Sequence, residues 1–277
     1  MRIHRDISRI TAADKGATAA IGNFDGVHLG HQAVLEIAAN ATQSPLGVVT
    51  FEPHPRQFFA PDAPPFRLMN PAARAHRLQG LGVKQLYELP FDAELANLSA
   101  EAFAKDILAN ALGLSHATVG ADFCFGKDRL GTADMLHDLG KQFGFGVTIA
   151  DLVGGATAVS STRIRAALSD GEPEKAAEML GHLHRIEGEV LHGEKRGRTL
   201  GYPTANMSID GLSPPKFGVY AVKVDILSGP HQGAHIGVAS IGVRPMFGEN
   251  RPNIETYIFD FDGDLYGAEL SLSLIHI

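Results

Sequence analysis

The chain has 277 residues, room for one large or two ordinary domains, and 44% of them are hydrophobic and 20% charged. Those values exclude disordered, collagenous and disulfide-scaffold classes. With 24 Lys+Arg against 31 Asp+Glu, the formal net charge is −7, which argues against a broad nucleic-acid or anionic-membrane surface. The one cysteine, Cys124, cannot form an internal disulfide, and the opening MRIHRDISRI lacks the apolar stretch of a signal peptide. No run approaches the ~20 apolar residues of a membrane span. A reducing cytoplasm is the expected location.

As far as about residue 180, short apolar strands alternate with helical patterns. Strands are expected at 17–22, 46–51, 83–87, 117–119 and 146–150. Between them, Val34, Ile37, Ala38 and Ala41 follow a helical period, as do Phe103, Ile107, Leu108 and Leu112 behind a Ser99 N-cap. Such repetition predicts βαβ units: a Rossmann-like parallel sheet with helices on both faces and ligands at the C-terminal strand ends. After a last helix at 173–180, opened by a proline, helical period disappears. Short alternating strands at 187–191, 218–224, 236–241, 254–259 and 269–274 then predict an all-β barrel. The expected domains are therefore 1–180, α/β, and 181–277, all-β.

The string from Ala20 to His31, AIGNFDGVHLGH, leaves the first strand and enters the first helix. Its glycines let backbone approach a ligand, and the first-turn N–H groups of the helix suit an anion. His28 and His31, three apart, would face one phosphate and donate hydrogen bonds as charge rearranges at phosphorus. The alternatives are two surface histidines or a zinc pair, and no third ligand stands at a recognisable zinc spacing. Phosphate binding is the better reading because glycine turn, strand exit and paired histidines coincide. A second string, Ser160-Ser161-Thr162-Arg163-Ile164-Arg165, could bind phosphate through hydroxyls and Arg165, or be plain helix capping.

In the β half, residues 193–201 set Arg196 and Arg198 among glycines, either a flap over polyphosphate or a solvated hairpin loop. Thr204 and Asn206, two apart, share one face of an extended strand and could hold Mg²⁺ through oxygen, or make turn hydrogen bonds. Glu255, an acid in an apolar strand, suits a general base, with a structural salt bridge as the alternative. Asp260, Asp262 and Asp264 lack the features of a calcium loop and are read as an acidic hairpin turn.

Four strings of the first half, GNFDGVHLGH, TFEPHP (50–55), GADFCFG (120–126) and SSTRIR, resemble the adenylyltransferase half of prokaryotic bifunctional riboflavin kinase/FAD synthetases. The histidine motif alone would indicate only the wider nucleotidyltransferase superfamily. GRTLGYPTAN (197–206), NIET (253–256) and FDFDGDLYG resemble the riboflavin kinase domain of the same family. The resemblance implies ATP-dependent phosphorylation of riboflavin to FMN, and adenylylation of FMN by ATP to FAD and pyrophosphate. It implies that Gly22, Asn23, Phe24, Gly26, Ser161, Thr162, Arg165, Gly197 and Arg198 hold ATP, and that Phe51, Pro53, Pro55, Phe59 and Asp122 border the flavin. It also implies that Thr204 and Asn206 hold Mg·ATP, that Glu255 takes the proton of the ribityl 5′-hydroxyl, and that no bound redox cofactor is required. Cys124 and Met246 depart from the family pattern, where a polar or basic residue and a threonine are expected.

Riboflavin, FMN and ATP are the expected partners, with no nucleic acid and no membrane; a homo-oligomer is compatible with the sequence. The alternatives are an adenylyltransferase for another nucleotide with a regulatory barrel, and a non-catalytic flavin-binding module. Leu270, Leu272 and Leu274 alternate with serines just before the chain stops, where the resembled kinase domains continue into a helix. The expectation from that pattern is a truncated kinase half with one buried strand face, an uncovered apolar surface and an exposed strand edge.

Overall fold

A computed structural model describes residues 1–151, 159–192, 203–243 and 252–277. The chain forms two compact units, Met1–Ala63 with Ala75–Val159, and Pro64–Arg74 with Ser160–Ile277. Among the described residues no helix is long and apolar enough to cross a membrane.

The first unit contains eight described strands: β1 (Arg2–His4), β2 (Thr18–Ile21), β3 (Leu46–Glu52), β4 (Gln85–Pro90), β5 (His116–Gly120), β6 (Cys124–Phe125), β7 (Gly131–Thr132) and β8 (Gly146–Ala150). Six of them form one sheet in the order β1-β4-β3-β2-β5-β8, with every pair parallel, and β6 and β7 form a small antiparallel pair. Helices α1 (Leu29–Ala41), α2 (Pro55–Phe59), α3 (Pro71–Gly80), α4 (Ala93–Ala96), α5 (Ala100–Ala102) and α6 (Ala133–Phe143) lie between strands. A π-helix, Phe103–Ala111, continues α5.

Ser99 caps α5 by accepting the Ala102 N–H, as the sequence predicts. The following pattern is helical but wider than α: the Leu112 N–H reaches Ile107 O, five residues back, while Phe103, Ile107 and Leu108 remain buried. They pack with Ala19, Ile21, Val49 and Val119 of the sheet and with Leu136 of α6. On α1, Leu35 and Ala38 are buried, and Thr18 of β2 donates to Ala38 O. The chain steps from β2 outward through β3 to β4 and then returns to place β5 beside β2. The crevice at the C-terminal ends of β2 and β5 is thus the switch point where such sheets bind ligands.

The second unit begins with α7 (Ser161–Asp170) and α8 (Pro173–Leu180), followed by β9 (Arg185–Glu189), β10 (Ala205–Ser208), β11 (Gly218–Ile226), β12 (Gly233–Val243), β13 (Pro252–Ile258) and β14 (Glu269–His276). The strands form an antiparallel sheet in the order β10-β13-β12-β11-β14-β9. An isolated bridge between Leu191 and Asn206 draws the two ends of that order together into a nearly closed barrel. Inward residues such as Met207, Tyr220, Val222, Ala239, Ile254 and Leu272 fill it.

The structure departs from two expectations. β14 pairs with β11 on one side and β9 on the other, so it offers no free edge; Ser271 and Ser273 are buried with the leucines because the Ser271 hydroxyl donates to the buried Glu187 carboxylate and α8 packs on this strand. The acidic run 260–264 is no hairpin turn. β13 pairs with β10 and β12, so the run carries the chain across the barrel to β14.

Candidate active sites

At the end of β2 the Gly22 N–H donates to Val49 O at 3.1 Å, and the Thr50 hydroxyl of β3 holds Asn23 O at 3.2 Å. The chain then turns tightly into the protein: Phe24, Gly26 and Val27 have φ of 52°, 89° and 43°. Glycine takes such a conformation freely, whereas a β-branched valine there is strained at a cost of roughly 1–3 kcal/mol, a kind of strain concentrated at ligand sites. Phe24, Asp25 and Val27 are all buried, so packing imposes the turn.

His28 is the N-cap of α1, its Nδ1 accepting the His31 N–H at 3.3 Å. An acceptor nitrogen carries no proton, so the neutral ring has its hydrogen on Nε2. The two imidazoles stack with centroids 3.7 Å apart and planes 12° from parallel, and Phe24 leans on His31 at 5.1 Å. Burial lowers the His28 pKa to about 4. His31 falls well below the ordinary histidine value through burial first and the neighbouring His28 second. Both rings are therefore neutral donors near pH 7. His31 Nδ1 is buried with no hydrogen-bond partner among the described residues. A Cβ on Gly30 would sit 3.2 Å from the His28 ring, so the glycine lets the imidazole lie flat on the helix start.

The expected flavin-bordering residues gather at the ends of β3 and β5. Phe51 is the last residue but one of β3, the Glu52–Pro53 peptide is cis, and His54 caps α2, whose first residue is Pro55. Phe51 meets Phe91 edge-on at 5.8 Å, and Phe91 in turn meets Phe58 at 5.4 Å and Phe59 at 5.8 Å. Phe59 stands 69% exposed, an open aromatic face at the end of a series that runs from buried Phe51 through half-buried Phe91 and Phe58. Phe58 falls within the 51–59 stretch that the sequence points to, whereas Phe91 does not; the available signal for it is an aromatic directly after β4. Asp122 and Cys124 are exposed in the turn and strand after β5.

The Ser160–Arg165 string lies in the second unit. Ser160 caps α7 by accepting the Arg163 N–H at 3.3 Å, and Arg165 Nη1 donates to the Thr162 hydroxyl at 3.4 Å. Arg165 Nε also donates to Phe66 O at 2.5 Å, and its guanidinium lies 5.5 Å from the Phe66 ring centre. The helix start is capped as expected, and the arginine is tied to a neighbouring loop.

On the barrel, Asn206 of β10 lies directly opposite Glu255 of β13. Burial alternates on both strands: Ala205, Met207, Ile254 and Thr256 point inward, which leaves Thr204, Asn206 and Glu255 on the outer face. The Asn206 amide donates to Thr204 O at 3.2 Å. The setting of Glu255 is thus half-buried and outward rather than enclosed by the apolar core. Gly197, Arg198 and Met246 lie outside the described residues.

Comparison with known proteins agrees with this division. Residues 10–163 match the family model described as FAD synthetase, and residues 180–277 match riboflavin kinase. The bifunctional riboflavin kinase/FMN adenylyltransferase of Pseudomonas fluorescens is 42% identical over 279 aligned residues, covering 98% of this chain and 88% of the relative. The protein of that name from Escherichia coli K12 is 37% identical, covering 99% of this chain and 88% of its own length. A crystal structure described as a macrolide-efflux protein from Streptococcus pneumoniae superposes with a TM-score of 0.81 at 33% identity, covering 100% of this chain and 90% of that one. The two matched families, the near-complete coverage and the two differently built halves lead to one conclusion: the chain belongs to the bifunctional riboflavin kinase/FMN adenylyltransferases.

Proposed function

We propose that the two activities of this family, phosphorylation of riboflavin by ATP and adenylylation of FMN by ATP, are divided between residues 181–277 and 1–180. In the first reaction the Glu255 carboxylate takes the proton of the ribityl 5′-hydroxyl. The oxygen bonds to the γ-phosphorus, the β–γ bridging bond breaks, and ADP leaves. In the second, an FMN phosphate oxygen bonds to the α-phosphorus of ATP and pyrophosphate leaves. No protein nucleophile is required, since positioning and charge stabilisation suffice.

In the adenylyltransferase half, the backbone of Gly22–Gly26 and the start of α1 receive the phosphates, and His28 donates through Nε2. The observation that carries this is the N-capping Nδ1, which leaves His28 as a donor directed away from its own helix. Ser161, Thr162 and Arg165 are assigned to ATP, and Phe51, Pro53, Pro55, Phe59 and Asp122 to the flavin, with Phe59 offering an aromatic face for stacking. In the kinase half, Thr204 and Asn206 present oxygen donors of the kind Mg²⁺ prefers, on the same face as Glu255. Magnesium held there would neutralise polyphosphate charge. Gly197 and Arg198 complete the ATP assignment from the sequence pattern.

Both reactions belong to the cytoplasm in this reading, without nucleic acid or membrane as partner, in keeping with a net charge of −7 and a single cysteine. HPLC of products from riboflavin plus Mg·ATP, and separately from FMN plus Mg·ATP, tests the proposal. FMN in the first mixture and FAD in both are expected. Absence of FMN would leave an adenylyltransferase alone, and absence of both products a binding module.

A further inference from the structure

The antiparallel register places four residues in one row across the outer face of the barrel. Asn206 of β10 pairs with Glu255 of β13, Glu255 with Ser240 of β12, and Ser240 with Val219 of β11. The flanking residues Ala239, Ile241 and Tyr220 are buried, so the alternation turns Ser240 and Val219 to the same side as Glu255. Ser240 is exposed, and Val219 is 60% exposed. Directly opposite side chains on one sheet face have Cβ atoms about 4.5–5.5 Å apart, within reach of a single bound molecule.

Read along the row, the chemistry runs from amide oxygen to carboxylate, hydroxyl and aliphatic surface. Riboflavin joined to the γ-phosphate of ATP has the same order: polyphosphate, attacking 5′-oxygen, secondary hydroxyls of the ribityl chain, and the largely apolar ring system. Neighbouring strands are about 4.8 Å apart, so a chain lying across them with its 5′-oxygen at Glu255 brings a secondary hydroxyl to Ser240. We propose that the Ser240 hydroxyl is a specificity-determining contact of the kinase reaction: it hydrogen-bonds a secondary ribityl hydroxyl and so favours a polyol side chain on the flavin. The inference rests on the assignment of Glu255 as the base of that reaction. It adds a direction to that assignment, with the substrate crossing the strands from β10 towards β11.

The test uses the full chain and two substrates that share the reacting hydroxyl: riboflavin, and a flavin whose N10 substituent is a 5-hydroxypentyl chain. Ser240→Ala is expected to lower kcat/KM for riboflavin about tenfold, mainly through KM, and to leave hydroxypentyl-flavin phosphorylation unchanged. Ser240→Thr, which keeps a hydroxyl, should restore most of the preference, and melting temperatures of both variants report folding. Equal losses on the two substrates, or no loss on either, would overturn the proposal. Glu255→Gln is assayed beside them: if it phosphorylates riboflavin normally, the underlying site assignment fails instead.

Discussion

His28 does two things that substitution can separate. Its Nδ1 caps α1 through the His31 N–H, and in the proposed reaction its Nε2–H is the donor to phosphate. Replacing His28 with alanine removes both. Loss of the cap costs about 1 kcal/mol of stability, and loss of a donor aimed at developing phosphate charge costs about 10²–10³ in rate, or roughly 3–4 kcal/mol. Asparagine is among the best capping residues but too short to replace the Nε2 reach. His28→Asn should therefore recover most of the stability lost in His28→Ala while remaining about 10²-fold or more slow in converting FMN to FAD. Urea denaturation followed by circular dichroism measures the first quantity, and HPLC of FAD under saturating ATP measures the second. Phosphorylation of riboflavin should stay normal in both variants, because the residues assigned to it belong to the other unit. An asparagine variant making FAD at the unsubstituted rate would reduce His28 to a helix cap and refute the donor role.

Acid should weaken the first unit in a defined window. His28 titrates at about 4 when folded and near 6.5 when unfolded, so the unfolded chain binds more protons between those values. The stabilisation is complete above pH 6.5, falls by about 3 kcal/mol as the pH drops towards 4, and is reinforced by His31, whose shift has the same sign. Calorimetry at pH 7 and pH 5 should show a lower melting temperature at pH 5, and an equal or higher one would contradict this account. Glu255→Gln should suppress riboflavin phosphorylation by about 10²–10⁴ while FAD synthesis from supplied FMN continues, measured by the same chromatography; normal kinase turnover would return Glu255 to a structural role. Gly237→Ala would place a methyl 2.3 Å from Tyr257 O on the neighbouring strand, a clash with backbone that cannot swing away. A loss of about 3 kcal/mol in urea unfolding is expected, and a loss below about 1 kcal/mol would mean that β12 and β13 can separate locally.

Where burial repeats with a simple period, the sequence foretold the elements well. The expected strand 146–150 coincides with β8, and the expected helix 173–180 with α8, since each is bounded by glycine or proline. β1 escaped notice because Arg-Ile-His is too short to show alternation. It is an edge strand held by remote ion pairs, Arg2 with Asp14 and, just beyond it, Arg5 with Glu88 at 2.8 Å. The four residues of β10 were legible only through Thr204 and Asn206, because a short strand of a closed barrel takes its register from β13 rather than from its own pattern. At the site, motif spacing selected His28 and His31 but could not reveal that they stack and that His28 caps its own helix. Such facts depend on rotamers and on the void above Gly30. The row from Asn206 to Val219 joins residues up to 49 positions apart along the chain, and only pairing between strands makes them neighbours.

The bridge between Leu191 and Asn206 gives the barrel a seam, and the seam runs through a residue assigned to nucleotide binding. β10 is secured on one side by β13 and on the other by the Leu191 N–H to Asn206 O bond, at 2.8 Å. Opening at this line would part β10 from the segment after β9 while Asn206 stays paired with Glu255 of β13, and the remaining strands need not unfold. A nucleotide held at Thr204 and Asn206, as proposed above, would steady β10 against both of its neighbours, so part of its binding energy would go into fastening the barrel. Hydrogen exchange at the Leu191 amide should therefore slow when the nucleotide binds, making one backbone proton a gauge of occupancy for the whole domain.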